Sequence, residues 1–204
     1  LPNEFSTTGS ISFLKSIKGM KGYNHFEIDD FMGSSMTYMG IDKITGLNVV
    51  AVSAPGAMDK AGVVYFLRLE SDGKINSYTY IDGDQAQLKY GEENYQADIG
   101  FGWSITNVGD VNGDGIDDIA IGAVGFESTE GKSMGAIYLA FLDENYEAKD
   151  VVLISRGMNG FNFPLKDKSA FGSSLASMGD MDGDGVPDIA IGAWSYSHQR
   201  GAIF

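Results

Sequence analysis

The chain has 204 residues, no cysteine, and 28 acidic against 14 basic side chains, for a formal net charge of −14. That balance argues against nucleic acid or an anionic lipid surface as a partner, and the lack of cysteine excludes disulfides and thiolate chemistry. The longest apolar run, 135–142, is strand-sized and far short of a bilayer span, so no membrane insertion is expected.

A hydrophobic share of 43% suffices for a core. The 28 glycines are about twice the usual share and occur with only 4 prolines, which points to many tight turns between short strands. The chain begins at Leu1, which reads as a processed form or an excised piece.

In chain order, Ile11–Ile17 reads as an orphan strand. Strands are then predicted at 33–39, 48–54, 62–69 and 76–81, and again at 102–108, 118–123, 135–142 and 150–155. A third set, 172–178 and 188–193, is followed by a strand that the chain enters at its end, Phe204. Period-two alternation with glycine punctuation marks these segments as β, and no capped stripe of helical period competes with them.

The sets are copies of one unit. Aligning Phe101–Ala123 with Phe171–Ala193 gives 14 identities in 23 positions at an offset of 180 − 110 = 70. A weaker copy lies 69 residues earlier, where Gly33–Gly40 matches Gly102–Gly109 and Gly46–Ala54 matches Gly115–Ala123. A second short signature follows each copy, at Gly62–Phe66, Gly135–Leu139 and Gly201–Phe204. Four strands per unit of about 70 residues is the rhythm of a β-propeller of antiparallel blades. The chain therefore reads as all-β and one region, 1–204, with segments 11–17, 32–81, 101–155 and 171–204.

Within the two strong copies lies an acidic nonapeptide. It reads Asp110-Val-Asn-Gly-Asp114-Gly-Ile-Asp-Asp118 and Asp180-Met-Asp-Gly-Asp184-Gly-Val-Pro-Asp188. Hard oxygen ligands at positions 1, 3, 5 and 9, with the carbonyl of position 7, suit calcium, which takes six to eight oxygens. Curling them round one ion needs a sharp bend, which Gly115 and Gly185 permit through positive φ.

Three competing readings fit the loops less well than calcium does. An EF-hand would need glutamate at position 12, where Ile121 and Ile191 stand, and helices as flanks. Zinc would need His or Cys, and magnesium keeps more of its water. The Asp180 loop offers four carboxylates and the Asp110 loop three plus Asn112, so the former is expected to bind more tightly. The first unit has Ile41, Lys43, Thr45 and Val49 at these positions, so no cation is expected there.

Phe101-Gly102, Phe171-Gly172, the acidic loops, Gly122-Ala123 and Gly192-Ala193 together resemble the FG-GAP repeat of integrin α-subunit β-propellers. The cysteine-free, glycine-rich style is similar to the integrin-like repeats of bacterial and algal surface proteins. The resemblance covers nearly the whole chain from Ile11. It implies a seven-bladed ring, of which about three blades are present, and two structural Ca2+ sites. By position those would be Asp110, Asn112, Asp114, Ile116 (backbone) and Asp118, and Asp180, Asp182, Asp184, Val186 (backbone) and Asp188. It also casts Ile11–Ile17 as a closing strand, and expects the remaining blades to be missing from the sequence or supplied by other chains. The first unit departs from the pattern, with Met32 in place of Phe.

The resemblance implies an extracellular adhesion or assembly module that meets a cell-surface protein or glycan through its loops. Two alternatives are a building block of a surface appendage or matrix, and an accessory propeller of a secreted hydrolase. No catalytic residue is expected within the chain. Its two histidines, His25 and His198, have no nucleophile partner in the sequence. Trp103 and Trp194, beside inner-strand positions, are expected to wedge between blades.

Overall fold

The computed structural model describes residues 30–58, 61–84, 86, 99–128 and 131–204. The expected strand 11–17 and His25 lie outside them. The fold is all-β, built of consecutive antiparallel meanders. The first sheet is β1 (Met36–Ile41), β2 (Asn48–Ala54), β3 (Val63–Leu69) and β4 (Ile75–Asp82), in that spatial order. The second repeats it with β5 (Phe101–Gly109), β6 (Asp118–Ala123), β7 (Ala136–Leu142) and β8 (Ala148–Ile154). The third holds β9 (Phe171–Gly179), β10 (Asp188–Ala193) and β11 (Ala202–Ile203).

The sheets pack face to face, which explains why the middle strands are apolar on both faces. Every residue of β6 is buried, as are all but one of β7. Phe66, Ile121 and Tyr138 share one core layer with Phe101, whose ring meets Tyr138 edge-on at 5.4 Å. Ile137, Phe171 and Ile191 share the next. In β9 only Phe171 and Gly172 are buried, because no described sheet covers the far side of the third unit.

The Phe-Gly pairs form the joints. Phe171 donates its amide to Met134 O at 3.0 Å and bridges Gly135, so the start of β9 is stitched to the entrance of β7. Ser104 Oγ donates to Gly172 O at 2.7 Å in the same buried seam. At the preceding joint the Ile105 amide donates to Ser35 Oγ at 3.1 Å, and the Asn107 amide to Thr37 Oγ1 at 3.2 Å. Phe171 also anchors an aromatic cluster with Phe161 and Phe204, at 4.8 and 5.5 Å between ring centroids.

Trp103 corrects the sequence reading, since it is 49% exposed and does not wedge between the first and second sheets. Trp194 lies on the face of the third sheet that no described sheet covers. Strand register shifts between Phe101 and Ile105, and Trp103 falls within that irregular stretch while its neighbours Gly102 and Ser104 face the joint.

Where the first unit lacks an acidic nonapeptide, it holds a buried ion pair. Arg68 Nε donates to Asp42 Oδ2 at 2.5 Å, and both residues are buried. Asp42 Oδ1 accepts the amides of Ile44 and Thr45 at 2.9 and 2.7 Å and so shapes the β1–β2 turn. Arg68 also reaches the second unit, donating to Asn145 O at 3.0 Å and lying over the Tyr146 ring. Burial pushes the Asp42 carboxyl up, but the Thr45, Arg68 and Ile44 hydrogen bonds outweigh it and hold it below its usual range.

A carboxyl whose folded pKa is depressed stabilises the fold above its unfolded pKa and loses that contribution as pH falls through the folded value. Thermal midpoints should therefore drop as the medium is acidified below about pH 4, the ordinary aspartate range, and Asp42→Asn should flatten that slope. An unchanged slope in the variant would show that other carboxylates govern acid unfolding.

Candidate metal centre

The two acidic nonapeptides fold alike, each connecting the first and second strands of its sheet. In both, the position-1 carboxylate accepts the amides of positions 4 and 6. Asp110 takes Gly113 N at 2.8 Å and Gly115 N at 2.7 Å, and Asp180 takes the Gly183 and Gly185 amides at 2.7 and 3.0 Å. Position 3 accepts position 5 (Asn112 from Asp114, Asp182 from Asp184), and position 5 accepts position 7 (Asp114 from Ile116, Asp184 from Val186). Position 9 closes the loop, with Asp118 and Asp188 each accepting the amide of position 2. These short-range side-chain bonds are why Asp and Asn recur here. Gly115 and Gly185 have φ of +84° and +90°, as the bend requires.

The carboxylates converge differently in the two loops. Ligand oxygens of Asp180, Asp182 and Asp188 all lie within 4.8 Å of one another, the sole such acidic group among the described residues. Asp184 stays outside that group. In the other loop Asp110, Asp114 and Asp118 do not meet the same criterion, and position 3 is the neutral Asn112. Asp114 Oδ2 instead accepts Lys149 Nζ at 2.9 Å, and Lys43, from the β1–β2 turn, donates to Gly115 O. The Lys149 ammonium, with the Ile116 amide, holds the Asp114 carboxyl below its usual range, and Asp114 raises Lys149 in turn.

Position 9 also differs. Asp118 is fully buried and accepts Leu142 N from β7 at 3.0 Å, whereas Asp188 is half-buried. Desolvation raises the Asp118 carboxyl, and the Leu142 and Val111 amides offset part of that. A nearby cation would favour its ionised form.

The residues present fit a hard divalent cation. All side-chain donors are oxygens, no His or Cys takes part, and in the third unit three carboxylates already face a common point. The Asp42–Arg68 pair and Lys149 escaped the sequence reading. The signal for Arg68 was present, as a lone charge inside the apolar run Val63–Leu69; Lys149 carried none, since the partner of an exposed lysine depends on tertiary geometry.

The FG-GAP repeat family model matches residues 101–138 and 171–203. Among curated proteins, the chain is 34% identical over 131 residues to integrin alpha-5 of Xenopus laevis, covering 62% of this chain and 12% of that protein. It is 26% identical over 190 residues to integrin alpha-2 of Mus musculus, covering 91% and 14%, and 30% identical over 167 residues to integrin alpha-7 of Homo sapiens, covering 81% and 12%. The aligned part thus spans about one-eighth of the length of these relatives.

Proposed function

Because the chain is an integrin-α-like FG-GAP repeat protein, we propose that it is part of a calcium-stabilised β-propeller serving adhesion or assembly at a cell surface. Segments 32–81, 101–155 and 171–204 are its blades. The observation that carries the reading is the acidic loop, built twice on one scaffold and converging on a common point in the third sheet. The ligand sets are Asp110, Asn112, Asp114, Asp118 and the Ile116 carbonyl, and Asp180, Asp182, Asp184, Asp188 and the Val186 carbonyl. Bound calcium neutralises loops that otherwise concentrate like charge, and its role is structural, with no catalytic part.

The partner is a surface protein or glycan engaged through the loops, and the reading places the protein outside the cell. Among the described residues no helix is long and apolar enough to cross a membrane. A second observation favours assembly with further blades, whether from the same chain or another. The far face of the third sheet shows an open depression of about 480 Å³ lined by Ser174, Gly192, Gly201 and Ile203. Ser174, Gly192 and Gly201 are the repeat equivalents of Ser104, Gly122 and Gly135, which seat Phe171-Gly172 at the occupied joint.

Thermal melting of the full chain in calcium, magnesium and chelator tests the metal. Each occupied site should add about 2.7 kcal/mol at a hundredfold excess over its Kd. Asp182→Asn, which keeps an acceptor for the Asp184 amide but removes one converging carboxylate, should blunt the gain. Equal melting in all three media would remove calcium from the reading.

A further inference from the structure

The three equivalent loops form a series in how much positive charge the protein itself supplies. In the first, the Arg68 guanidinium is buried against Asp42, and no acidic nonapeptide remains. In the second, two ammonium groups reach the loop. Lys149, at the start of β8, pairs with Asp114 Oδ2 at 2.9 Å, and Lys43, from the first unit, donates to Gly115 O. In the third, no lysine or arginine among the described residues pairs with Asp180, Asp182, Asp184 or Asp188, and three of those carboxylates face one another.

We propose that Lys149, assisted by Lys43, is a built-in counter-ion of the Asp110 loop, competing with the divalent cation for Asp114. The inference rests on the calcium reading above and adds a residue-level regulation of one of its sites. The geometry supports it in two ways. Asp114 is a position-5 ligand in the proposed set, so an ammonium on its Oδ2 occupies an oxygen the cation would use. Lys149 is also half-exposed on a flexible stem, with 53% side-chain exposure, so it can swing away when a cation arrives.

Two consequences follow. The Asp110 loop keeps its shape without a divalent ion and takes one more weakly than the Asp180 loop. Its affinity also depends on the charge of residue 149, while that of the Asp180 loop does not. Removing an exposed ion-pair partner changes binding by roughly fivefold at most.

The experiment is calorimetric titration of the full chain with calcium chloride at low ionic strength. The proteins are wild type, Lys149→Met, Lys149→Arg and Asp182→Asn. Wild type should show two unequal sites, with Asp182→Asn weakening the tighter one and so identifying it. Lys149→Met should tighten the weaker site roughly fivefold and leave the tighter one unchanged, while Lys149→Arg restores the wild-type constants. Two equal sites in wild type, or a Lys149→Met variant with unaltered constants, would overturn the proposal while calcium binding itself stands. Absence of heat in wild type and in Lys149→Met alike would overturn both readings.

Discussion

Arg68→Met should destabilise the protein by about 3–5 kcal/mol, because it leaves the Asp42 carboxylate buried without its counter-charge. Asp42 is 1% exposed, and its remaining partners, the Ile44 and Thr45 amides and the Thr45 side chain, carry no positive charge. The same substitution cuts the bond to Asn145 O and the stacking on Tyr146, so part of the loss is felt at the joint between the first and second sheets. For a domain of this size that is a fall of roughly 10 °C in the melting midpoint. Adding Asp42→Leu to Arg68→Met should recover much of the loss, since replacing both members of a buried pair by apolar groups is often near neutral. A single variant that melts with wild type would mean that the pair is effectively solvated.

The second large effect is expected at the joints. Gly135 has φ +84°, and a Cβ there would stand 2.3 Å from Phe171 O and 2.6 Å from Phe171 N. Gly135→Ala combines a left-handed backbone cost of about 1–2 kcal/mol with an overpacking cost of about 1–3 kcal/mol. Two other glycines separate these causes. Gly122 lacks a positive φ, but its Cβ would lie 2.0 Å from Gly172 O, so Gly122→Ala reports the steric part. Gly131 has φ +69° with open space around it, so Gly131→Ala reports the backbone part. Denaturant midpoints should rank Gly131→Ala mildest and Gly135→Ala most severe. Equal midpoints for all three variants would show that the sheets slide apart freely at the joint, contrary to the buried seam of Ser104 and Gly172.

The all-β class and the strand positions were legible because glycine-bounded, apolar strand segments recur at nearly constant offsets. The acidic loops were legible for the same reason, since their scaffold is made of bonds between residues two to seven positions apart. The aspartates there organise their own backbone, so the pattern needs no distant partner to be read.

Other features were not legible in this way. Trp103 was misplaced because an irregular register in β5, not alternation, sets which way its side chain faces. Asp42 looked like an ordinary turn residue, yet it is buried because Arg68 comes back to it from two strands later.

The sequence by itself determined the repeat, the strands and the acidic loops, since each rests on local spacing and short-range bonding. Only the tertiary structure decided which loop gathers its carboxylates and which is answered by lysine. It also decided that a guanidinium stands in the first unit. The lysine and guanidinium pairings depend on charges brought together from 26 to 72 residues apart by strand pairing and sheet stacking, and no local pattern encodes such pairings.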